Sequence, residues 1–326
     1  MTHSWRIAVL PFADIGAHHR VKPMRPHAIA TAPKQYSKEV APIPYELLSI
    51  EKLDRPIFVM AFKGLFDTGE AATGAIDWLS MVHESKPGAV IDPETLFDFQ
   101  QTRPRVRVGV NGAREIVWPS NNIVWAKTEP GERDLVLLAG VEPNLRWRSF
   151  GESIRELIEA TGTELVVTLG AILGTVPHTR SLPVTASTGD AELATRLGIG
   201  RPTYEGPTGL VGSLHDNLGG AGIPCISLRV TVPHYVPGAP SPKATAALLA
   251  HLERICGIHT EHAGLAHDIR DWESLVHQAL VTDDEVRAYV ESLENDADDE
   301  PTMLFDDESD VAAEIEGFLR MREEEG

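Results

Sequence analysis

Cysteine and long apolar segments are both scarce in this chain of 326 residues. Neither of the two cysteines, Cys225 and Cys256, has a CxxC neighbour, so we expect two small buried hydrophobic residues in a reducing compartment. The longest apolar stretches, Ile57–Phe62 and Leu135–Val141, are too short to span a bilayer. The N-terminus has no apolar region after a basic start. These absences predict a cytoplasmic protein with no membrane partner.

Short motifs that bind cofactors or carry catalysis are also missing. The chain has no GxxxxGK[ST] phosphate loop, no GxGxxG after a strand, and no GxSxG nucleophile elbow. His259 and His262 are three residues apart, which is not the HExxH spacing that places two zinc ligands on one helical face. We therefore predict no cofactor and no metal.

Basic residues are outnumbered, and the excess acid is concentrated at one end. The formal net charge is −19, which argues against a nucleic-acid partner bound through general basicity. Residues 281–326 hold 18 acidic and 3 basic residues, a net −15, so the other 280 residues carry only −4. The acidic end is either a solvated tail or an arm that docks on a basic partner.

Five short apolar runs predict buried strands, and helical patterns separate them. The runs are Ile57–Phe62, Leu135–Ala139, Leu165–Leu169, Leu182–Ala186 and Cys225–Val230. Ser149 and Glu152 are spaced as a capping box, Asp190 and Gly198 bound another helix, and Ser241-Pro242 opens a further one. The pattern predicts an α/β fold with a mainly parallel sheet wrapped by helices.

The rest of the chain divides around this core. Residues 1–55 are rich in proline and predict an extended N-terminal arm, and residues 56–258 form the core. An Asn-Gly pair inside Val106–Trp118 predicts a β-hairpin, inserted over residues 104–119, that packs on its own domain or on another subunit. Residues 259–326 predict a small helical appendage followed by the acidic tail.

Glycine and polar side chains follow each apolar run, at the edge of a parallel sheet where ligands bind. The candidates are Gly64, Asp67 and Thr68 after the first run, Gly140, Glu142 and Asn144 after the second, Gly170, His178 and Arg180 after the third, Ser187 after the fourth, and His234 and Tyr235 after the fifth. The loops are predicted to converge on one concave ligand site.

Three of these residues are candidate acid–base groups, namely Glu142, His178 and His234. Arg180 could hold a carboxylate or phosphate, or could pair with Glu142 in the absence of any ligand. Each histidine and Glu142 also has a purely structural interpretation, since all three lie beside a proline in a loop.

Four strings resemble the bacterial, actinobacterial branch of the proteasome assembly chaperone 2 family: GVEPNLRWRSF, LGAILGTVPHTR, YEGPTGLVGSL and VPHYVPGAPSPKATAALL. Their order and spacing match over about residues 40–290. The resemblance implies a core similar to purine nucleoside phosphorylases and peptidyl-tRNA hydrolases, a hairpin used in homo-oligomers, trimers being favoured, and a C-terminal helical lid over a pocket. It transfers no catalytic residue.

Two functions remain open from the sequence. The first is an oligomeric binding or assembly factor whose partners are itself and either a protein or a small molecule. The alternative is a small-molecule hydrolase or phosphorylase-like enzyme with Glu142 or His178 as base. The chain offers no nucleophile for the second.

Overall fold

Strands and helices alternate along the chain in a computed structural model that describes residues 40–109, 112–236, 238, 240–280, 284–299 and 319–321. The strands in this part are β1 Tyr45–Leu47, β2 Ile57–Lys63, β3 Lys86–Ile91, β4 Arg105–Val108, β5 Arg114–Val117, β6 Asn121–Ala126, β7 Leu135–Val141, β8 Leu165–Gly174, β9 Val184–Ser187 and β10 Cys225–Pro233. The helices are α1 Ala71–Val82, α2 Trp147–Thr161, α3 Ala191–Leu197, α4 Leu210–Gly220, α5 Pro242–Cys256, α6 Ala266–Leu280 and α7 Asp284–Asp299.

Eight strands form one sheet in the order β1-β3-β6-β7-β2-β8-β10-β9. The four central strands, β7, β2, β8 and β10, are parallel. The outer strands β1, β3, β6 and β9 pair antiparallel. The α/β prediction is confirmed, with a sheet that is parallel in its centre and mixed as a whole.

Strand β9 differs from the prediction in its direction. Its apolar run was expected to be parallel to the others, but Val184 pairs with Val230 and Ser187 with Ser227 in an antiparallel register. Nine residues join Gly174 to Val184, and a parallel crossover needs a dozen or more. The chain therefore turns back along the sheet.

Both faces of the central strands are buried. In β2, Ile57, Val59 and Ala61 belong to the core beneath α1 and α5. Their alternate neighbours Phe58, Met60 and Phe62 belong to the core beneath α2 and α4. Because successive side chains of a strand point to opposite faces, a continuous apolar run suits this three-layer arrangement.

Two of the three predicted helix starts follow their capping residues. Asp190 accepts from the N–H groups of Glu192 and Leu193, and Ser241 from that of Ala244. The prediction of a capping box at Ser149 is wrong. Helix α2 begins at Trp147, so Ser149 lies buried inside its first turn. Glu152 instead accepts a hydrogen bond from Asn217.

The predicted hairpin is present as a separate two-stranded sheet, β4–β5. Arg105 pairs with Val117, and Val108 with Arg114. Every residue of the two strands is exposed. Asn111 of the predicted turn lies outside the described residues, whereas Gly112 has the positive φ of +76° that such turns need.

The segment before β2 is not entirely irregular. Strand β1 pairs antiparallel with β3, and Ile43 is completely buried with its N–H 2.7 Å from the Ser153 hydroxyl oxygen. The predicted arm over residues 1–39 lies outside the described residues.

Both cysteines are buried and free, as predicted. Burial raises the pKa of each thiol to about 12, so neither is a ready nucleophile. Within the described ranges, none of the helices combines the length and apolar character needed to cross a membrane.

Candidate functional site

The carboxyl ends of β7, β2, β8 and β10 lie at one edge of the sheet, as expected from their parallel pairing. The predicted site residues at this edge separate into two places. Glu142 and Asn144 line an open groove, whereas His178, His234 and Tyr235 lie together beneath α6 and α7.

The groove has a volume of about 630 Å³. Its walls come from the end of β2, from the β7–α2 loop and from the segment after β3. Its lining residues are Lys63, Gly64, Phe97, Asp98, Phe99, Gln101, Thr102, Val141, Glu142, Pro143, Asn144, Leu145 and Trp147. The groove is large enough for a small ligand. Neither His178 nor His234 lines it.

Glu142 is held by the start of a helix. Its Oε1 accepts a hydrogen bond of 3.2 Å from the N–H of Leu210, the first residue of α4. A Cβ at Gly64 would lie 2.9 Å from Oε2 of Glu142, so a larger residue would force the carboxylate to shift. Gly64 also has a φ of +155°. The two predicted residues therefore meet, as a packed pair at the groove wall.

Asn144 positions the opposite wall. Its Oδ1 accepts hydrogen bonds of 3.0 Å from the Asp98 N–H and from the Thr102 hydroxyl. Phe99 in the same segment packs edge-to-face against Trp118 at the base of the hairpin, with ring centroids 4.8 Å apart. The sequence did not indicate this segment, because it lies in a connection without helix or strand.

His178 and Tyr235 form a buried hydrogen-bonded pair. The Tyr235 hydroxyl accepts from the His178 N–H at 2.8 Å and lies 3.0 Å from Nδ1 of the ring. Burial, and then the positive charge of Lys243, lowers the pKa of His178 to about 4. The imidazole is therefore neutral at pH 7. Only 3% of its surface is exposed, which makes it a poor contact for a substrate.

His234 lies beside this pair. Its Nδ1 is 3.1 Å from the Gly174 carbonyl oxygen, which requires a proton on Nδ1. Its ring packs edge-to-face on Tyr235 and on Tyr289 of α7. Both histidines thus contact other parts of the chain through Nδ1 and through ring packing.

Arg180 does not pair with Glu142. Its guanidinium binds Asp298 of α7 in a bidentate ion pair, with both N–O distances at 2.8 Å. The prediction that Arg180 pairs with Glu142 is therefore wrong, and anion binding by Arg180 would have to displace Asp298. The cation near His178 is instead Lys243, whose Nζ lies 2.6 Å from both the His178 carbonyl oxygen and Glu273 of α6.

Asp67 anchors a helix. Its Oδ1 accepts from the N–H groups of Ala72 and Thr73 at 2.9 and 3.0 Å, and the Thr73 hydroxyl donates to Oδ2. Asp67 is buried, and burial raises its pKa. Thr68 is half-buried in the adjoining single-turn helix. These atoms hold the start of α1.

Two predicted glycines make room for neighbouring side chains. A Cβ at Gly140 would collide with Asn121, whose Oδ1 accepts a hydrogen bond of 2.9 Å from the Val141 N–H. A Cβ at Gly170 would lie 3.3 Å from Cγ of Arg229.

Ser187 is not at the carboxyl edge. Because β9 is antiparallel, Ser187 lies opposite Ser227, the third residue of β10, near the other end of the sheet. Glu142 lines the groove whereas His178 and His234 do not, so the described groove is not the single hollow that we expected these three residues to share. No cluster of three potential metal ligands occurs among the described residues.

Comparison with known proteins assigns the fold to a family. A family model described as the PAC2 family matches residues 61–280. The chain belongs to the PAC2 family. A PAC2 family protein from Streptomyces avermitilis is 41% identical, with a TM-score of 0.66 over 72% of this chain and 99% of that one. The matched range contains the groove and both histidines but ends at α6, before α7.

Other solved structures extend the family comparison. A proteasome-assembly chaperone homologue from Mycobacterium tuberculosis is 37% identical, with a TM-score of 0.65 over 72% of this chain and 99% of that one. An archaeal proteasome activator from Pyrococcus furiosus is 16% identical, with a TM-score of 0.58 over 74% of this chain and 99% of that one, which shows a shared fold alone. A search of curated proteins found no match.

Proposed function

We propose that this PAC2 family member is a cytoplasmic, homo-oligomeric assembly factor, with three copies held together through the β4–β5 hairpin and a protein as its partner. The observation that carries the proposal is the apolar surface of the hairpin. Val106, Val108 and Ile116 are 54%, 64% and 58% exposed. Exposed apolar side chains gathered on one projection are typical of a protein interface.

The alternation of the hairpin strands concentrates this surface on one face. Val106 lies directly opposite Ile116, and Val108 is two residues further along the same strand. These three side chains therefore share a face. A two-stranded ribbon is marginal in water by itself, so burial against another copy would stabilise it.

The relationship to the Mycobacterium tuberculosis proteasome-assembly chaperone homologue makes proteasome subunits the first protein partner to test. The groove supplies a ligand-sized hollow in the same molecule. The enzyme alternative requires Arg180 to act on one substrate together with Glu142 or His178 as the base. Their separation into a groove wall, a buried pair and an ion pair with α7 gives that alternative no support.

Light scattering on a Val108→Asp variant tests the hairpin interface. We expect the wild-type mass to be three times 35.6 kDa and the variant mass to fall towards 35.6 kDa, because a charge would have to be buried at the contact. Tyr204→Asp is the matched control, since Tyr204 is an exposed apolar residue, 73% accessible, on another loop. A wild-type mass for Val108→Asp would remove the hairpin from the interface.

A further inference from the structure

The polar side chains of β10 and β9 lie on one face of the sheet and are partly exposed. In β10, the side chains of Ile226, Leu228 and Val230 are buried, whereas Ser227, Arg229 and Thr231 alternate with them and are half-buried. On the edge strand β9, Thr185 and Ser187 lie opposite Arg229 and Ser227. We call these five residues the open polar face. Polar residues on the uncovered side of an edge are ordinary, so hydroxyl groups alone indicate only contact with water.

Arg229 departs from that ordinary pattern. Its side chain lies across the neighbouring strand β8 in the space left by Gly170, where a Cβ would lie 3.3 Å from Cγ and 3.9 Å from Cδ of the arginine. The stem therefore follows the sheet instead of extending into solvent. The Nε atom is buried and has no hydrogen-bond partner.

No acidic residue in the described part of the chain forms an ion pair with Arg229. A buried guanidinium nitrogen without a hydrogen-bond partner costs free energy, and a bound acceptor group would recover that cost. The neighbouring titratable group is His215 of α4, whose Nε2 lies 2.9 Å from the Thr168 hydroxyl. Burial, and then the charge of Arg229, lowers the pKa of His215 to about 4, so Arg229 is the cation of this cluster at pH 7.

We propose that Arg229 binds an oxyanion group, a phosphate or a carboxylate, of a small ligand on the open polar face. The planar guanidinium offers parallel N–H donors that fit either group. The Ser227 and Thr231 hydroxyls are two residues away on the same strand and share the face, so they can add donors at the rim. None of Ser227, Arg229 and Thr231 lines the groove.

Calorimetric titration of the full chain with inorganic phosphate and, separately, with succinate tests the site and distinguishes the two sources of the oxyanion. We expect binding of at least one of them, weakened about tenfold or more in Arg229→Gln, because a charge-assisted hydrogen bond is lost. Arg201→Gln is the matched control, since Arg201 is an exposed arginine on the loop before α4. Sodium chloride at equal ionic strength controls for screening.

A second measurement uses the unchanged protein. The ring of His215 can be titrated by NMR with and without the bound anion. We expect the anion to raise the pKa of His215 by about half a unit or more, because it offsets the charge of Arg229. Absence of binding by both anions, equal affinity in Arg229→Gln, or an unchanged pKa of His215 at saturation would each overturn the proposal.

Discussion

Asp67, Asn144 and Arg180 each bind another part of this chain through the atoms that would bind a ligand. Asp67 holds the first N–H groups of α1, Asn144 holds the segment around Asp98, and Arg180 holds Asp298. Polar residues in loops beside a packed sheet must satisfy their own hydrogen bonds first. The residue type at a strand end therefore indicates a candidate for ligand binding. The group that its side chain contacts in the folded protein decides its role.

His178 should make stability depend on pH. The pKa of His178 is about 4 in the folded protein and 6.5 in the unfolded chain. Below pH 6.5 the unfolded chain therefore binds a proton that the folded protein does not, and the stability that is complete above pH 6.5 is lost as the pH falls towards 4. Between pH 7 and pH 5 this histidine should cost about 2 kcal/mol of unfolding free energy. Urea unfolding at the two pH values measures that loss.

His178→Asn is the comparison variant, because its amide can still contact Tyr235 but does not titrate. Between pH 7 and pH 5 we expect this variant to lose less unfolding free energy than the wild type, by the same amount of about 2 kcal/mol. The groups that face His178, namely Lys243, Glu273, Glu294 and His277, are unchanged in this variant. Equal losses in the two proteins would contradict the burial of a neutral imidazole.

At the scale of elements, α6 and α7 cover the histidine pair through a cluster of their own. Trp272 and Val276 of α6 pack with Val290 and Leu293 of α7 and with Tyr235. The ion pair between Arg180 and Asp298 lies outside this cluster and is exposed. The two helices are thus attached by apolar packing, and the salt bridge at their rim adds little.

Hydrogen exchange on Trp272→Ala tests this attachment. Loss of the ring should raise amide exchange in α6 and α7 about a hundredfold, roughly 3 kcal/mol, while β2 and β8 keep their protection. Arg180→Ala removes only the exposed ion pair, so its exchange in the same helices should change far less. A larger effect of Arg180→Ala than of Trp272→Ala would show that the charges hold the helices.

At the scale of the whole molecule, the hairpin and the core are separate units of stability. The eight-stranded sheet buries both faces of its centre, whereas the two-stranded sheet buries none of its residues. At the base of the hairpin, Trp118 contacts Phe99. The hairpin can therefore serve an interface at little cost to the fold.

Replacing residues 105–117 by a short Gly-Ser turn tests that separation. The shortened chain should keep a cooperative urea transition whose midpoint is independent of protein concentration, since a dissociated monomer gains nothing from mass action. The wild-type midpoint should rise with concentration. Loss of a cooperative transition in the shortened chain would show that the core depends on the hairpin.

Local patterns determined much of this architecture. Continuous apolar runs predict β2, β7, β8 and β10, because strands buried on both faces need no polar alternation. The capping residues Asp190 and Ser241 and the Asn-Gly pair act within a few residues of themselves. Such patterns can be recognised in the sequence because they do not depend on contacts between distant residues.

Tertiary structure alone decided the pairing of β9 with β10 and the contacts between loops. Whether Ser187 shares an edge with Glu142 depends on the direction of β9. The short connection from Gly174 is compatible only with an antiparallel return, but the pairing with β10 is a contact between distant residues that leaves no apolar pattern of its own. Likewise, Arg180 meets Asp298 and Arg229 lies over Gly170 because separate elements pack there. The sequence by itself thus determined the elements and the family, and long-range packing decided which side chains meet.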